Sequence, residues 1–184
     1  MGSRYLFYQS FFDSTITEDN IPDDIYELKT ISGEKFHRLL DLCFEHADIF
    51  SFTDNPYVEQ MSDEFINALK PFLVKSFYPM EWFYERGVND PLHVCIYEAS
   101  EDAKKILLST FEDLFLTPKQ GSTISVDDLC FFKDGKAFLG TITHEYYCIT
   151  YPPTEGFMTK LKGLGRWIDV TEPWYDPFEI SQSD

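Results

Sequence analysis

Basic residues are scarce in this chain of 184 residues, which has 15 Lys and Arg against 32 Asp and Glu and a formal net charge of -17. Phosphates and anionic lipid headgroups are repelled by such a surface until salt screens the charges. The composition therefore argues against nucleic acid and membranes as direct ligands. The same field attracts a basic protein and speeds its association, although high solubility alone also accounts for the charge.

Closely spaced cysteines are missing as well. Cys43, Cys95, Cys130 and Cys148 lie far apart in apolar stretches, so we expect neither a zinc site nor a redox pair and predict no cofactor. Four reduced core cysteines are typical of a cytoplasmic protein. We expect no signal peptide in residues 1–12, which contain one Arg and only a short apolar run, and no run reaches transmembrane length.

Recognised catalytic motifs are also lacking. The chain has no Gly-x-Ser-x-Gly sequence, and Gly163-Leu164-Gly165 lacks the further glycine or the Lys-Ser/Thr of a phosphate-binding loop. His144-Glu145 resembles the start of a metalloprotease motif, but Cys148 occupies the place of its second histidine. These gaps favour a binding protein over an enzyme.

Histidines next to possible catalytic partners keep the enzyme alternative open. His93 and Cys95 are two residues apart and face the same side of a predicted strand, although flanking apolar residues favour a packing role. His144 with Glu145 can act as a base or simply form a polar turn. The alternative to a binding module is therefore a small-ligand binder or hydrolase that uses His93, His144 and Glu145.

Apolar residues make up 43% of the chain and aromatics 17%, which is enough for a substantial core in a single domain over residues 1–184. The 18 Phe, 11 Tyr and 3 Trp exceed the needs of that core, so some should reach the surface. Aromatic anchors among charged residues are typical of binding hot spots, although these rings could instead cover sheet edges. The partner-binding candidates are Asp23, Asp24, Glu27, Trp82, Tyr84, Trp174 and Tyr175.

Hydrophobic periodicity predicts helices before a late group of strands. The best local signal is Asp134-Gly135 between two apolar runs, because a tight hairpin turn needs positive φ at both central residues. Helices are predicted at 33–48, from 63 with a break at Pro71, at 100–115 and, briefly, at 154–163. Strands are predicted at 5–12, 92–97, 129–132, 137–142 and 146–151.

This order of elements predicts an α+β fold, with an antiparallel sheet built around a C-terminal three-stranded meander and about three helices packed on it. The N-terminal strand is expected to join the same sheet. Charge and aromatics together predict a cytoplasmic bacterial inhibitor or immunity protein that neutralises a cationic partner such as a nuclease toxin. A nucleic-acid mimic that blocks a DNA-binding protein is the variant of this hypothesis.

Overall fold

A computed structural model of the chain describes residues 5–8, 31–54, 63–83, 85–87, 89–119, 124, 126–169 and 180. Its α-helices are α1 (Glu34–His46), α2 (Asp63–Leu69), α3 (Glu101–Thr110) and α4 (Glu155–Lys162). The first five strands are β1 (Tyr5–Tyr8), β2 (Ile49–Asp54), β3 (Leu73–Phe77), β4 (Glu81–Trp82) and β5 (Glu85–Arg86). The others are β6 (His93–Glu98), β7 (Val126–Lys133), β8 (Lys136–Ile142), β9 (Tyr147–Thr150) and β10 (Trp167–Asp169). Two 3-10 turns complete the described elements, at Lys70–Phe72 and Thr143–Glu145.

Eight strands form one antiparallel sheet in the order β10-β1-β9-β8-β7-β2-β6-β3, and β4 and β5 form a separate hairpin. The predicted α+β class is confirmed, and so is the C-terminal three-stranded meander, because β7, β8 and β9 pair consecutively. The N-terminal strand joins this sheet between β9 and β10. Within the described part of the chain, none of the helices has the length and apolar character needed to cross a membrane.

The β7–β8 turn has the predicted chemistry. Asp134 and Gly135 both adopt positive φ, 50° and 75°, as a tight hairpin connection requires. The predicted break at Pro71 is also confirmed, because α2 ends at Leu69 and a 3-10 turn follows with the proline at its start. Sequence-local signals were sufficient at both places.

Helix α3 ends at Thr110 and not near Phe115 as predicted. The Asp113 carboxylate accepts hydrogen bonds from the backbone N–H groups of Phe115 and Thr117, which holds a turn in place of a further helical turn. The N–H of Leu114 also donates to the carbonyl of Ile31, 3.0 Å away. Tertiary pairing therefore overrides the apolar periodicity of this segment.

The sheet is covered on both faces. On one face the four helices contribute to a core that includes Phe50 of β2 and Phe131 of β7. The other face is covered by Trp82 and Phe83 of the β4–β5 hairpin, which pack against Ile96 and neighbouring apolar residues. The sequence pattern did not predict β2, β3 or this hairpin.

Cysteines are free throughout, as predicted, and three of the four are buried. Burial raises the thiol pKa of Cys43, Cys130 and Cys148. A thiol that resists ionisation is a poor nucleophile and a poor metal ligand. These three residues therefore act as core side chains, whereas Cys95 is half-buried.

Phe83 lies directly on the backbone of Gly140 in β8. A Cβ atom at Gly140 would lie 2.3 Å from the Phe83 ring, which is well inside van der Waals contact. Phe83 is fully buried and adopts φ 44°, an unfavourable region for a residue with a side chain. The close approach of ring and glycine therefore fixes how the hairpin covers the sheet.

Replacement of Gly140 by alanine should lower the free energy of unfolding by about 1–3 kcal/mol, because the added methyl group overlaps the fully buried ring of Phe83. Urea unfolding measures the change. Gly156→Ala is the matched control, since its Cβ would meet only Thr154 Oγ1 at 3.8 Å and helix α4 should gain up to about 1 kcal/mol. Equal effects of the two substitutions would contradict the proposed overlap.

Candidate functional site

A buried carboxylate lies where β7 bulges against β2. The pairing register shifts between Ser51 and Thr53, and Asp128 adopts φ 56° at this irregularity. Its side chain is only 4% exposed. A charged residue is rarely buried without partners. The side chain of Asp128 accepts two hydrogen bonds, and its backbone N–H donates a third.

These hydrogen bonds join the bulge to the turn after β8. The hydroxyl of Thr53 donates to Asp128 Oδ2 at 2.7 Å, and the N–H of Thr143 donates to Oδ1 at 2.9 Å. In return, the N–H of Asp128 donates to Thr143 Oγ1 at 2.8 Å. The 3-10 turn Thr143–Glu145 is therefore held in a fixed position over β7.

Three further ionisable side chains lie at this turn. His144 Nδ1 is 3.5 Å from Glu85 Oε1, and His144 Nε2 is 3.6 Å from Glu145 Oε1. His144 and Glu145 are exposed, and Glu85, which belongs to the β4–β5 hairpin, is half-buried. We refer to Glu85, Asp128, His144 and Glu145 as the carboxylate–histidine cluster.

The pKa values of two carboxyl groups of this cluster, Asp128 and Glu85, are raised. Burial raises the pKa of Asp128, and the hydrogen bonds from Thr143 and Thr53 and the nearby His144 oppose this shift only in part. Burial also raises the pKa of Glu85, and the negative charge of Asp128 raises it further. A half-buried carboxyl with a raised pKa beside a histidine is suited to proton transfer.

The third member of the predicted histidine group lies elsewhere. His93 is on β6, and strand β2 separates β6 from the β7 bulge, so the structure brings His144 and Glu145 together but not His93 with them. His93 Nε2 instead lies 2.7 Å from Ser76 Oγ and 3.6 Å from Cys95 Sγ. The Tyr78 ring stacks on the His93 ring with centroids 4.6 Å apart.

Trp82 is not the exposed aromatic anchor that its acidic neighbours suggested. Its side chain is 2% exposed, packs in the core under the β4–β5 hairpin and donates from Nε1 to Ser51 Oγ at 3.2 Å. This hydrogen bond gives the indole N–H a partner inside the protein, which allows the Trp82 ring to be buried. The other predicted partner-binding side chains, Asp23, Asp24, Glu27, Tyr84, Trp174 and Tyr175, lie outside the described residues.

Asp128 and Glu85 were missed by the sequence reasoning. The pair Asp127-Asp128 directly precedes the apolar run Leu129–Phe132, and acidic residues are depleted in strands. That unfavourable placement is the one local signal that could have indicated Asp128. The residues next to Glu85 in the sequence give no indication of its role, because its partners come from β7 and the turn after β8.

No group of three or more His, Cys, Asp or Glu among the described residues is arranged to hold a metal ion. A cleft of about 210 Å³ between α1 and α4 lies apart from the cluster and is smaller than typical ligand pockets. Its lining is mainly charged, with Arg38, Asp41, Leu42, Glu45, Lys160 and Leu164.

Neither a protein-family model, a curated protein nor a solved structure matches this chain. Its function therefore has to be inferred from the chemistry of its own residues.

Asp128→Asn should gain stability over the parent chain as the pH rises. Because burial holds the pKa of Asp128 above its unfolded value, the carboxyl favours the folded state while protonated and loses that contribution as pH rises through the folded pKa. Asn keeps an oxygen for the Thr143 N–H and does not ionise. Urea unfolding over roughly pH 3–8 measures the difference between the two proteins.

Asp48→Asn is the control of opposite sign. The N–H of Asp134 and the Lys133 ammonium both donate to Asp48 and lower its pKa. Its stabilising effect is therefore present at neutral pH and is lost as the pH falls through the folded pKa. We expect this variant to be less stable than the parent at neutral pH and equal to it in acid. The same pH trend in both variants would refute the assignment for Asp128.

Proposed function

We propose that this chain is an acidic binding module for a basic protein. The observation that carries the proposal is the net charge of -17 in 184 residues. A field of this size accelerates association with a cationic surface and selects against acidic competitors. Nucleic acid and anionic membranes are disfavoured as direct ligands for the same reason.

Two segments contribute much of this charge. Residues 13–27 contain six acidic side chains and no Lys or Arg, and residues 168–184 contain five with no Lys or Arg. By contrast, exposed carboxylates on the helices are partly neutralised, since Lys104 contacts Asp41 at 2.6 Å and Lys105 contacts Asp102 at 2.7 Å. The two segments are therefore the main candidates for contact with a cationic partner, with Asp23, Asp24 and Glu27 in the first and Trp174 and Tyr175 in the second.

An inhibitor or immunity protein for a cationic enzyme fits this chemistry best. A nuclease toxin has a basic active-site groove for its substrate, and an acidic protein that covers the groove competes with the nucleic acid for the same charges. This role places the chain in the bacterial cytoplasm with the enzyme it neutralises. A nucleic-acid mimic would differ in presenting carboxylates at phosphate-like spacing along one face.

Affinity capture tests the proposal directly. The purified chain is immobilised, exposed at low salt to lysate from its native host or a neighbouring strain, and eluted with increasing salt. Stoichiometric recovery of a basic protein, released as salt screens the charges, is the expected result. Recovery of only acidic or neutral proteins, insensitive to salt, would overturn it.

Neutralising Asp23, Asp24 and Glu27 to Asn, Asn and Gln should weaken binding of the recovered partner, mainly through a lower association rate, by about tenfold or more at low salt. Stopped-flow or surface-plasmon measurements give that rate. The matched control neutralises Asp41, Glu45 and Asp102, which already contact Lys104, Lys160 and Lys105. Because both triple variants change the net charge equally, equal losses would remove the assignment to the 13–27 segment.

The carboxylate–histidine cluster supports a second candidate function, a small-ligand binder or hydrolase. The observation that favours it is the contact of half-buried Glu85 with His144, because a carboxyl with a raised pKa beside a histidine is a possible proton donor. His144→Ala should then abolish turnover in a screen of ester, glycoside and amide substrates. If the parent chain turns over none of them, or the variant retains the activity, this candidate fails.

A further inference from the structure

Exposed apolar side chains concentrate on one segment of the described chain. Among the described residues, five large apolar side chains are more than a third exposed, and four of these five lie between positions 73 and 80. They are Leu73 at 42%, Val74 at 62%, Tyr78 at 66% and Met80 at 47%. Single exposed apolar residues are ordinary, but four within eight consecutive residues indicate a segment suited to interaction.

This segment is also the edge of the large sheet. Strand β3 occupies the last position in the strand order and pairs with β6 on one side, while no described strand pairs with its other side. A free edge offers backbone N–H and C=O groups to an added strand. We call residues 73–80 the β3 edge.

The Tyr78 ring is exposed but held in place. It stacks on His93 at an interplanar angle of 11°, and His93 in turn lies 2.7 Å from Ser76 of β3. A positioned aromatic ring loses little conformational freedom on binding, as hot-spot residues require. Tyr78 is therefore suited to be the anchor of the β3 edge.

The charge of the β3 edge is opposite to that of the rest of the chain. No carboxylate occurs from Phe65 to Met80, the longest acid-free stretch in the sequence, and this stretch contains Lys70 and Lys75. The Lys75 ammonium lies 4.7 Å from the centre of the Phe77 ring, which positions it near the middle of the strand. An occupant with a carboxylate opposite Lys75 is complementary to it.

A second copy of the chain fits this edge poorly. Antiparallel self-pairing about the middle of β3 would bring the two Lys75 side chains together, and each copy carries a net charge of -17. The register shift at Val74, between Leu73 and Lys75, also disfavours continuous edge-to-edge pairing.

From these observations we infer that the β3 edge binds an extended segment of a partner protein, apolar at alternate positions and with one carboxylate facing Lys75. The segment adds a strand beside β3, and its apolar side chains contact Tyr78 and the exposed residues around it. This surface is chemically distinct from the acidic segments proposed to bind a basic protein, and it does not depend on them.

A displayed library of random peptides about twelve residues long tests the inference, since that length spans an added strand. Peptides are selected on the parent chain and then measured by fluorescence anisotropy against variants. We expect enriched peptides to alternate apolar residues and to share one Asp or Glu. Their affinity should fall about tenfold or more with Lys75→Glu and with Tyr78→Ala.

A charge swap makes the test specific. Replacing the shared acid of the peptide by Lys should restore its affinity for Lys75→Glu, whereas Lys35→Glu, an exposed position on α1 with the same change in charge, should leave binding unchanged. Circular dichroism and thermal unfolding confirm that each variant is folded. Failure to enrich any peptide, equal binding to parent and Lys75→Glu, or a reversible dimer in sedimentation that Tyr78→Ala dissolves would overturn the inference.

Discussion

Strands β2 and β7 run through the middle of the sheet with packed side chains on both faces, and this two-sided burial constrains the rest of the structure. On the face covered by the helices, the strands bury apolar side chains, and Phe50 and Phe131 are part of the main core. On the other side, the short β4–β5 hairpin supplies cover through Trp82 and Phe83. Buried hydroxyl groups such as Ser51 then need partners within the protein, which is why the Trp82 indole points at that residue.

The carboxylate–histidine cluster follows from the same constraint. Asp128 lies at the bulge in β7 with its side chain buried. The Thr53 hydroxyl and the Thr143 N–H donate to its carboxyl and compensate part of the cost of burying it. Glu85 reaches this place because the hairpin that covers the sheet also carries it. A site of this kind arises at the junction of three elements, so its chemistry depends on the packing of the hairpin.

Sequence reasoning succeeded where local chemistry decides the structure. The Asp134-Gly135 turn, the apolar face of α1 and the break at Pro71 each follow from a few adjacent residues. It failed where distant contacts decide. Strand β2 alternates Phe with Ser and Thr, and its polar residues are buried by a hairpin from another part of the chain.

The candidate sites show the same difference between features set by adjacent residues and features set by distant contacts. The pair His144-Glu145 was identified from adjacency in the sequence, and the structure adds Asp128 and Glu85, which lie 16 and 59 positions before His144. Trp82 was assigned to the surface because acidic residues flank it, yet its indole has a buried partner 31 residues earlier. Neighbours in sequence do not report which partners a side chain finds in the fold, so burial of a single aromatic ring could not be predicted.

The position of β1 has a consequence for how the chain reaches this fold. Tyr5 pairs with Thr150 on one side and with Asp169 on the other, so the first strand of the sequence is inserted between two of the last. Contacts between residues this far apart require closure of very long loops and are associated with slow folding. On the ribosome, β1 emerges long before residues 147–169 and cannot pair with β9 and β10 until they have followed. During synthesis its backbone groups remain without their final partners, and the sheet is completed only after β9 and β10 have been made.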